Sequence, residues 1–259
     1  MRTFGLIGYP LSHSFSKKFF GEKFLKEGIT DCSYENFSLP SIQNFDQLIA
    51  ETPFEGLNVT IPYKQLVIPY LDFINEIVAK TGACNCISFK KGKLTGYNTD
   101  TIGFEQSLKK HLLPQHTKAL ILGTGGAAKA IIYVMEKLQI NYISVTRKVG
   151  NTKNNLITYE AITDDLIKSH TLIINTTPLG MYPEVNTAPP INYNLLTNSH
   201  YLFDLVYNPE MTLFLKKGKY RGAIIQNGFE MLIIQALESW KIWNNDEDKG
   251  KSLLNLTGH

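Results

Sequence analysis

Ala119-Leu120-Ile121-Leu122 is a short apolar run that meets Gly123-Thr124-Gly125-Gly126-Ala127-Ala128, after which helical spacing continues through Gln139. A buried strand that turns through glycines straight into a helix is the opening unit of an α/β fold. In the spacing Gly123-x-Gly125-x-x-Ala128 the first glycine permits a tight turn and the second lets the backbone approach a pyrophosphate. The small third residue lets helix and strand pack closely. The helix N-terminus then offers unpaired amides and a partial positive charge, so Gly123, Gly125, Gly126 and Ala127 are candidate phosphate-binding residues. A plain strand–turn–helix of small residues is the reading that this motif alone leaves open.

The rest of the chain extends the pattern. Further strands are predicted at Tyr142 to Val145, Thr171 to Asn175, Tyr201 to Leu205 and Ala223 to Gln226, and their alternation with helical segments implies a parallel, doubly wound sheet. Upstream, strands are predicted from Thr3 to Ile7, Cys32 to Phe37 and from Gly56 until Pro62 stops the run. Cys86 to Phe89 and Leu94 to Tyr97 flank a lysine-rich turn and read as a hairpin. Helices are predicted over Lys17 to Glu27, Ser41 to Ala50 and Phe229 to Trp243. The expected fold is therefore α/β with two domains. Residues 1–101 and 228–259 form an N-terminal α/β domain to which the last helix returns, and residues 102–227 form a Rossmann-like, doubly wound domain.

Composition excludes several classes. With 259 residues the chain can bury a core without staples, and 26 basic against 23 acidic residues give a formal charge of +3. That excess suits a pocket for an anionic small molecule and is too small to argue for nucleic acid or a membrane surface. Three cysteines, Cys32, Cys84 and Cys86, read as reduced thiols, and a lone C-x-C is a poor metal site, so no metal is expected. The opening MRTFGLIGYP lacks the apolar core of a signal peptide, and no run approaches the roughly 20 apolar residues of a membrane span. The expected location is the cytoplasm, and the expected state is a monomer or homodimer.

The end of the second strand of the nucleotide domain bears on the cofactor. An Asp or Glu there holds the ribose 2′-hydroxyl of NAD. Here the strand ends Val145-Thr146-Arg147-Lys148, and no acid occurs from Lys137 through Tyr159. An acid would repel a 2′-phosphate, whereas the planar fork of Arg147 can grip it, with Lys148 or Lys153 adding charge. The expected cofactor is NADP(H). A solvated basic loop is the other reading.

Three polar clusters of the N-terminal third are not well explained by a structural reading: Gly8-Tyr9-Pro10-Leu11-Ser12-His13-Ser14-Phe15-Ser16, Asn58-Val59-Thr60-Ile61-Pro62-Tyr63-Lys64, and Gly82-Ala83-Cys84-Asn85 followed by Gly96-Tyr97-Asn98-Thr99-Asp100. Further along stand Asn175-Thr176-Thr177-Pro178-Leu179-Gly180-Met181, Asp204-Leu205-Val206-Tyr207-Asn208-Pro209 with Thr212 and Leu215, and Asn227-Gly228-Phe229-Glu230-Met231-Leu232 with Gln235-Ala236. In order, from residue 5 to about 240, these motifs resemble the shikimate dehydrogenase family. The resemblance implies NADPH-dependent reduction of 3-dehydroshikimate to shikimate. It places Ser14 and Ser16 on the substrate carboxylate with Tyr207 closing over it, and Thr60, Asn85 and Gln235 on ring hydroxyls. Lys64 and Asp100 become the catalytic pair. Gly123, Gly125, Gly126 and Ala127 hold the pyrophosphate, Arg147 and Lys148 the 2′-phosphate, and Thr176, Gly228 and Met231 line the nicotinamide side. One departure is visible: the family usually has proline after the second serine, where this chain has Lys17. That change should loosen the helix start slightly.

The chemistry suits these residue types. Reducing a ring ketone needs a hydride from the cofactor and a proton from a group within reach of the forming alkoxide. An ammonium at Lys64 can donate that proton and stabilise the developing charge, and a carboxylate at Asp100 would favour the charged lysine. From spacing alone, Lys64 also reads as an exposed lysine at a helix start and Asp100 as a helix cap. Rival functions are an NAD-preferring quinate/shikimate dehydrogenase, a methylene-tetrahydrofolate dehydrogenase on a similar frame, and a non-catalytic NADPH sensor.

Overall fold

The computed structural model describes residues 1–11, 14–147, 155–245 and 253–255. The chain divides into two compact units, one of residues 1–99 with 236–259 and one of residues 100–235. The sequence placed divisions near residues 101 and 228. The second observed division falls inside a continuous helix, where no turn or polar break could mark it.

In the first unit the chain runs β1 (Arg2–Gly8), α1 (Phe15–Glu27), β2 (Cys32–Ser38), α2 (Phe45–Glu51), β3 (Phe54–Val59), β4 (Phe73–Asn75), α3 (Glu76–Thr81), β5 (Cys86–Lys90) and β6 (Lys93–Tyr97). The second unit runs α4 (Asp100–Lys109), β7 (Lys118–Leu122), α5 (Gly126–Lys137), β8 (Asn141–Thr146), β9 (Leu156–Thr158), α6 (Asp164–Ser169), β10 (Leu172–Asn175), β11 (Tyr201–Asp204), α7 (Leu213–Tyr220) and β12 (Ile224–Gln226). Helix α8 (Phe229–Asn244) begins in the second unit and ends in the first, and β13 (Leu253–Asn255) closes the order. The expected helix from Ser41 starts as a short 3₁₀ turn, Ile42–Asn44, before α2. Strands β4, β9 and β13, of three residues each, were not foreseen, whereas the equally short β12 was expected at Ala223 to Gln226.

The sheet of the first unit has the order β13-β4-β6-β5-β3-β1-β2. Strand β1 runs parallel to β2 and β3, whereas β3–β5, β5–β6 and β4–β13 are antiparallel. Both faces of β1 are buried: Phe4 and Leu6 face a cluster with Phe20, Phe24, Tyr34 and Trp243, and Ile7 faces one with Phe45, Leu57, Val59 and Val67. That two-sided burial is why β1 reads as apolar rather than alternating. Helix α1 is capped by Ser14 at one end and by Gly28, at φ +66°, at the other. Its buried face repeats at Ser16, Phe20 and Phe24, one turn apart, and Phe20 stacks on Tyr34 at 4.5 Å. The C-terminal turns of α8 complete this layer. Trp243 stacks on Phe4 at 5.0 Å and donates its indole N–H to the Ile87 carbonyl at 3.0 Å. Gly56 is required there, since a Cβ on it would lie 2.2 Å from the indole nitrogen.

The sheet of the second unit has the order β12-β11-β10-β7-β8-β9, and every pairing is parallel. Counted within the unit this is the order 6-5-4-1-2-3 of a doubly wound dinucleotide-binding sheet. Alternate residues of β7 serve opposite cores. Ala119 and Ile121 pack with Phe104, Leu108, Ile131, Val134 and Met231, while Leu120 and Leu122 pack with Ile167, Phe214 and Leu215. Helices thus cover both faces, as a parallel sheet demands.

Candidate active site

In the first unit strand register gathers polar residues at one end of the sheet. Ile7 is level with Val59, so the loops after β1 and β3 leave side by side. Asn58 pairs with Cys86 and Cys86 with Tyr97, so Asn85 and Asn98 lie at that same end. The approach is close: a Cβ on Gly8 would lie 2.5 Å from the Thr60 methyl. Thr60 is half-buried, and the half-buried Lys64 follows it in a turn whose carbonyl accepts from Cys84 N at 2.7 Å, one residue before Asn85. Ser14, Ser16, Thr60, Lys64 and Asn85 therefore belong to one rim of one sheet.

A buried hydrogen-bond chain lies beneath that rim. Ser16 is bonded to the Tyr34 hydroxyl, which donates to Asn58 Oδ1 at 2.9 Å. Asn58 Nδ2 donates to Ser239 Oγ at 2.8 Å and to the Asn85 carbonyl at 3.2 Å. Thr99 N donates to Asn85 Oδ1 at 2.7 Å, and Asn85 Nδ2 donates to Thr99 Oγ1 at 3.0 Å. Burial pushes the Tyr34 phenol far above its usual range, so it serves only as a neutral relay of hydrogen bonds. Ser14 accepts from Lys17 N at 3.3 Å. A proline at position 17 would have no N–H to offer that cap, and Lys17 also pairs with Glu35 at 2.6 Å. The expected loosening of the helix start is thus met by one added donor and one exposed ion pair.

In the second unit the glycine loop leaves β7 beside the loop that leaves β10, where the strand order reverses. This is the place where open α/β sheets bind ligands. Gly123 has φ +116°, and a Cβ on it would lie 2.5 Å from Thr176 Oγ1, so both backbone freedom and space demand glycine. Thr176 is fixed by two bonds to the Leu122 carbonyl, from its N and its Oγ1, each at 2.9 Å. Gly125 is the N-cap of α5 and has open space around its Cα; no acid stands in the first turn. Behind Gly126 and Ala127, Ala128 is 1% exposed in the core, which is the close helix–strand contact the motif requires. Arg147 directly follows β8 and is exposed; Lys148 and Lys153 lie outside the described residues.

Asp100 is the first residue of α4 and is buried. One turn on, a Cβ at Gly103 would lie 2.6 Å from the Met231 carbonyl and 3.2 Å from Gln235 Cβ, so α4 meets α8 at the turn carrying both residues. Met231 itself packs into the core with Phe104, and Gln235 Nε2 donates to the Leu232 carbonyl at 2.9 Å. Gly228 touches the loop after β11: a Cβ there would lie 2.2 Å from the Leu205 carbonyl oxygen. Tyr207, on that loop, is exposed.

The loop after β11 starts at a buried carboxylate. Asp204 Oδ1 accepts from Asn175 Nδ2 at 2.9 Å and from Val206 N at 3.0 Å, and Oδ2 accepts from Thr212 Oγ1 at 2.6 Å. Burial pushes its pKa up to about 6 against these three bonds, which favour the ionised form. Holding the charge therefore costs roughly 3 kcal/mol, at about 1.4 kcal/mol per tenfold change in proton affinity.

Residues 6–87 match the family model described as the shikimate dehydrogenase substrate binding domain. The chain is 41% identical over 254 residues to a Clostridium beijerinckii protein named shikimate dehydrogenase (NADP(+)), covering 94% of this chain and 92% of that one. The chain belongs to the shikimate dehydrogenase family. The crystal structure of shikimate dehydrogenase 1 from Peptoclostridium difficile is similar with a TM-score of 0.81 and 36% identity, covering 94% of this chain and 91% of that one. The Thermus thermophilus shikimate 5-dehydrogenase solved with NADP(H) and shikimate is similar at 0.82 and 27% identity, covering 94% of each chain. The two-domain α/β architecture with its Rossmann-like unit is the one shared with these family structures.

Sequence reasoning assigned no part to Tyr34, Asn58 or Ser239. Two weak signals were present. Asn58 is two residues from Thr60 near a strand end, and Ser239 is one helical turn beyond Gln235. Tyr34 gave none, since a tyrosine in a strand is ordinarily packing.

Proposed function

We propose that this chain is an NADP(H)-dependent shikimate dehydrogenase that reversibly reduces 3-dehydroshikimate to shikimate, a step toward chorismate and the aromatic amino acids. The observation that carries the reading is the six-stranded parallel order with Gly123 set against Thr176 at its reversal point, on a chain that follows its named relatives over nearly their whole length. The residues present fit a dinucleotide bearing a 2′-phosphate. Gly123, Gly125, Gly126 and Ala127 form a loop, open around Gly125, at a helix N-terminus whose first turn carries no acid, and Arg147, followed in sequence by Lys148, offers positive charge after β8. Thr176, Gly228 and Met231 are assigned to the nicotinamide half. When bound, the reduced nicotinamide supplies the hydride.

The protein's own part is binding and proton transfer. Ser14 and Ser16 donate to the substrate carboxylate, and Tyr207 covers it. Thr60, Asn85 and Gln235 bind ring hydroxyls. Because these are neutral hydroxyls and amides, an analogue lacking one hydroxyl leaves a buried group unpaired, and discrimination of ~10³ follows. Lys64 and Asp100 act as the catalytic pair: the Lys64 ammonium gives its proton to the forming alkoxide, and the Asp100 carboxylate favours the charged lysine. Residues 1–101 with 228–259 act as the substrate domain and residues 102–227 as the NADP-binding domain. The ligands are small molecules, with no nucleic acid or membrane, and the enzyme works in the cytoplasm as a monomer or homodimer. Among the described residues no helix is long and apolar enough to cross a membrane, and no cluster of three metal-ligating side chains occurs.

The test is absorbance at the nicotinamide band with shikimate and NADP+, followed by kinetics with NAD+ and with quinate. The expected result is NADP+ reduction with shikimate and a large preference over NAD+. Absence of turnover with shikimate defeats the reading, and equal efficiency with NAD+ defeats the cofactor assignment.

A further inference from the structure

The Asn175 and Asp204 motifs enter the reading above without a task, yet their side chains meet in the interior of the second unit. Asn175 and Asp204 end the adjacent strands β10 and β11, in direct register, and both are fully buried. Asn175 Nδ2 donates to Asp204 Oδ1, and its own Oδ1 accepts from Thr177 N at 3.0 Å and Thr177 Oγ1 at 2.6 Å. The loop after β10, which starts at Thr176, is therefore tied to the carboxylate through Asn175. Asp204 also accepts from Val206 N, while its second oxygen takes the Thr212 hydroxyl, whose oxygen caps α7 by accepting from Leu215 N at 3.3 Å. Residues 205–211, including Tyr207, are thus pinned at both ends by one carboxylate. The carbonyls of Leu205 and Val206 in turn meet Gly228: a Cβ there would strike the first, and Gly228 N donates to the second at 3.3 Å.

We propose that Asp204, with Asn175 and Thr212, is the positioning residue for the nicotinamide half of the cofactor site, setting the loops that carry Thr176, Tyr207 and Gly228. Three donors converge on Asp204, two of them on Oδ1, so the position needs an acceptor at Oδ1 and a polar partner for the Thr212 hydroxyl. The carboxylate stays buried between strand ends and touches no ligand itself; its effect passes through the loops. Arg147 after β8 makes none of these bonds, and the glycine loop meets them only where Gly123 packs on Thr176, so the adenosine half of the site is expected to depend on Asp204 far less. The inference rests on the assignment of Thr176 and Gly228 to the nicotinamide side.

Calorimetric titration with NADP+ and with 2′,5′-ADP, which carries only the adenosine half, tests it on the full chain. Asp204→Ala and Asn175→Leu are expected to weaken NADP+ binding at least tenfold while 2′,5′-ADP changes less than twofold. Asp204→Asn keeps an acceptor at Oδ1 and can donate to Thr212 Oγ1, so it should restore NADP+ affinity to within about threefold of wild type. Should Asp204→Ala not fold, Thr212→Val against Thr212→Ser carries the same comparison, with loss expected only for the valine. Equal losses for both ligands, or unchanged NADP+ binding in the variants, overturn the proposal. Wild-type protein that binds neither ligand overturns the nucleotide reading and this inference with it.

Discussion

Among the described residues every strand of residues 100–235 runs the same way, and the loops after β7 and β10 leave from one end of a single parallel sheet. In residues 1–99 with 236–259 three of the strand pairings among the described residues are antiparallel, and the polar rim is assembled from loops that follow β1 and β3 and from one that precedes β5. The parallel unit concentrates its candidate site in contiguous motifs, because a strand, a glycine turn and a helix N-terminus are consecutive in sequence. The mixed unit relies on register, so residues far apart in sequence become neighbours through the ladder. Its polar rim also needs a buried support, the chain from Ser16 through Tyr34, Asn58 and Ser239 to Thr99 and Asn85. The glycine loop needs less, because what it presents at the start of α5 is backbone amides.

This contrast can be broken at several points. The largest effect belongs to the mixed unit: Lys64→Ala is expected to lower turnover at least a hundredfold, in the range of about 10²–10⁴ for loss of a general acid, with substrate and NADP+ binding much less changed. Near-normal turnover in steady-state assays would remove Lys64 from the chemistry. Trp243→Ala should destabilise the mixed unit by about 3–5 kcal/mol, since the indole fills the space above Gly56 and bonds the Ile87 carbonyl. Hydrogen exchange should then show protection lost in β1, β3 and β5 and largely kept in β7, β10 and β11. Uniform loss would show that the units do not differ in this way.

Arg147→Ala should lower kcat/KM for NADPH by about ten- to a hundredfold, as expected for loss of charge-assisted bonds worth ~1.5–3 kcal/mol, and leave NADH nearly unaffected. A parallel fall with both cofactors would take Arg147 off the 2′-phosphate. The smallest effect is on pH. Burial holds His116 and His170, near the N-terminal ends of β7 and β10, below the usual histidine value. Their unfolded forms bind protons more readily, so their contribution is complete above about pH 6.5 and is lost as the pH falls toward the lowered folded values. The melting midpoint should drop by a few degrees from pH 7.5 to pH 6, and less in the double variant His116→Asn, His170→Asn. Asp204 works in the opposite sense, its contribution growing as the pH falls through about 6, so the histidine effect is read above that point. A midpoint independent of pH over that range would contradict the assignment.

The amino-acid order alone was enough for the parallel sheet, the glycine loop, the acid-free end of β8 and the family. The glycine loop and the end of β8 rest on neighbours within a few residues, where sterics and backbone hydrogen bonding act locally; the sheet and the family rest on the order of such local motifs along the chain. It was not enough for β4, β9 and β13, whose three-residue spans form only because a partner strand lies alongside. Nor could it show that α8 is shared between the two units, since the helix runs through that division without a break. Asp204 and Asn175 were visible as a motif, but their bond, and the tie to Thr212, exist only because β10 and β11 end in register. Asn58 and Ser239 lie 181 residues apart and share a hydrogen bond. Contacts of that kind are decided by the folded chain, because burial without water makes each polar group seek whatever partner the tertiary structure brings within reach.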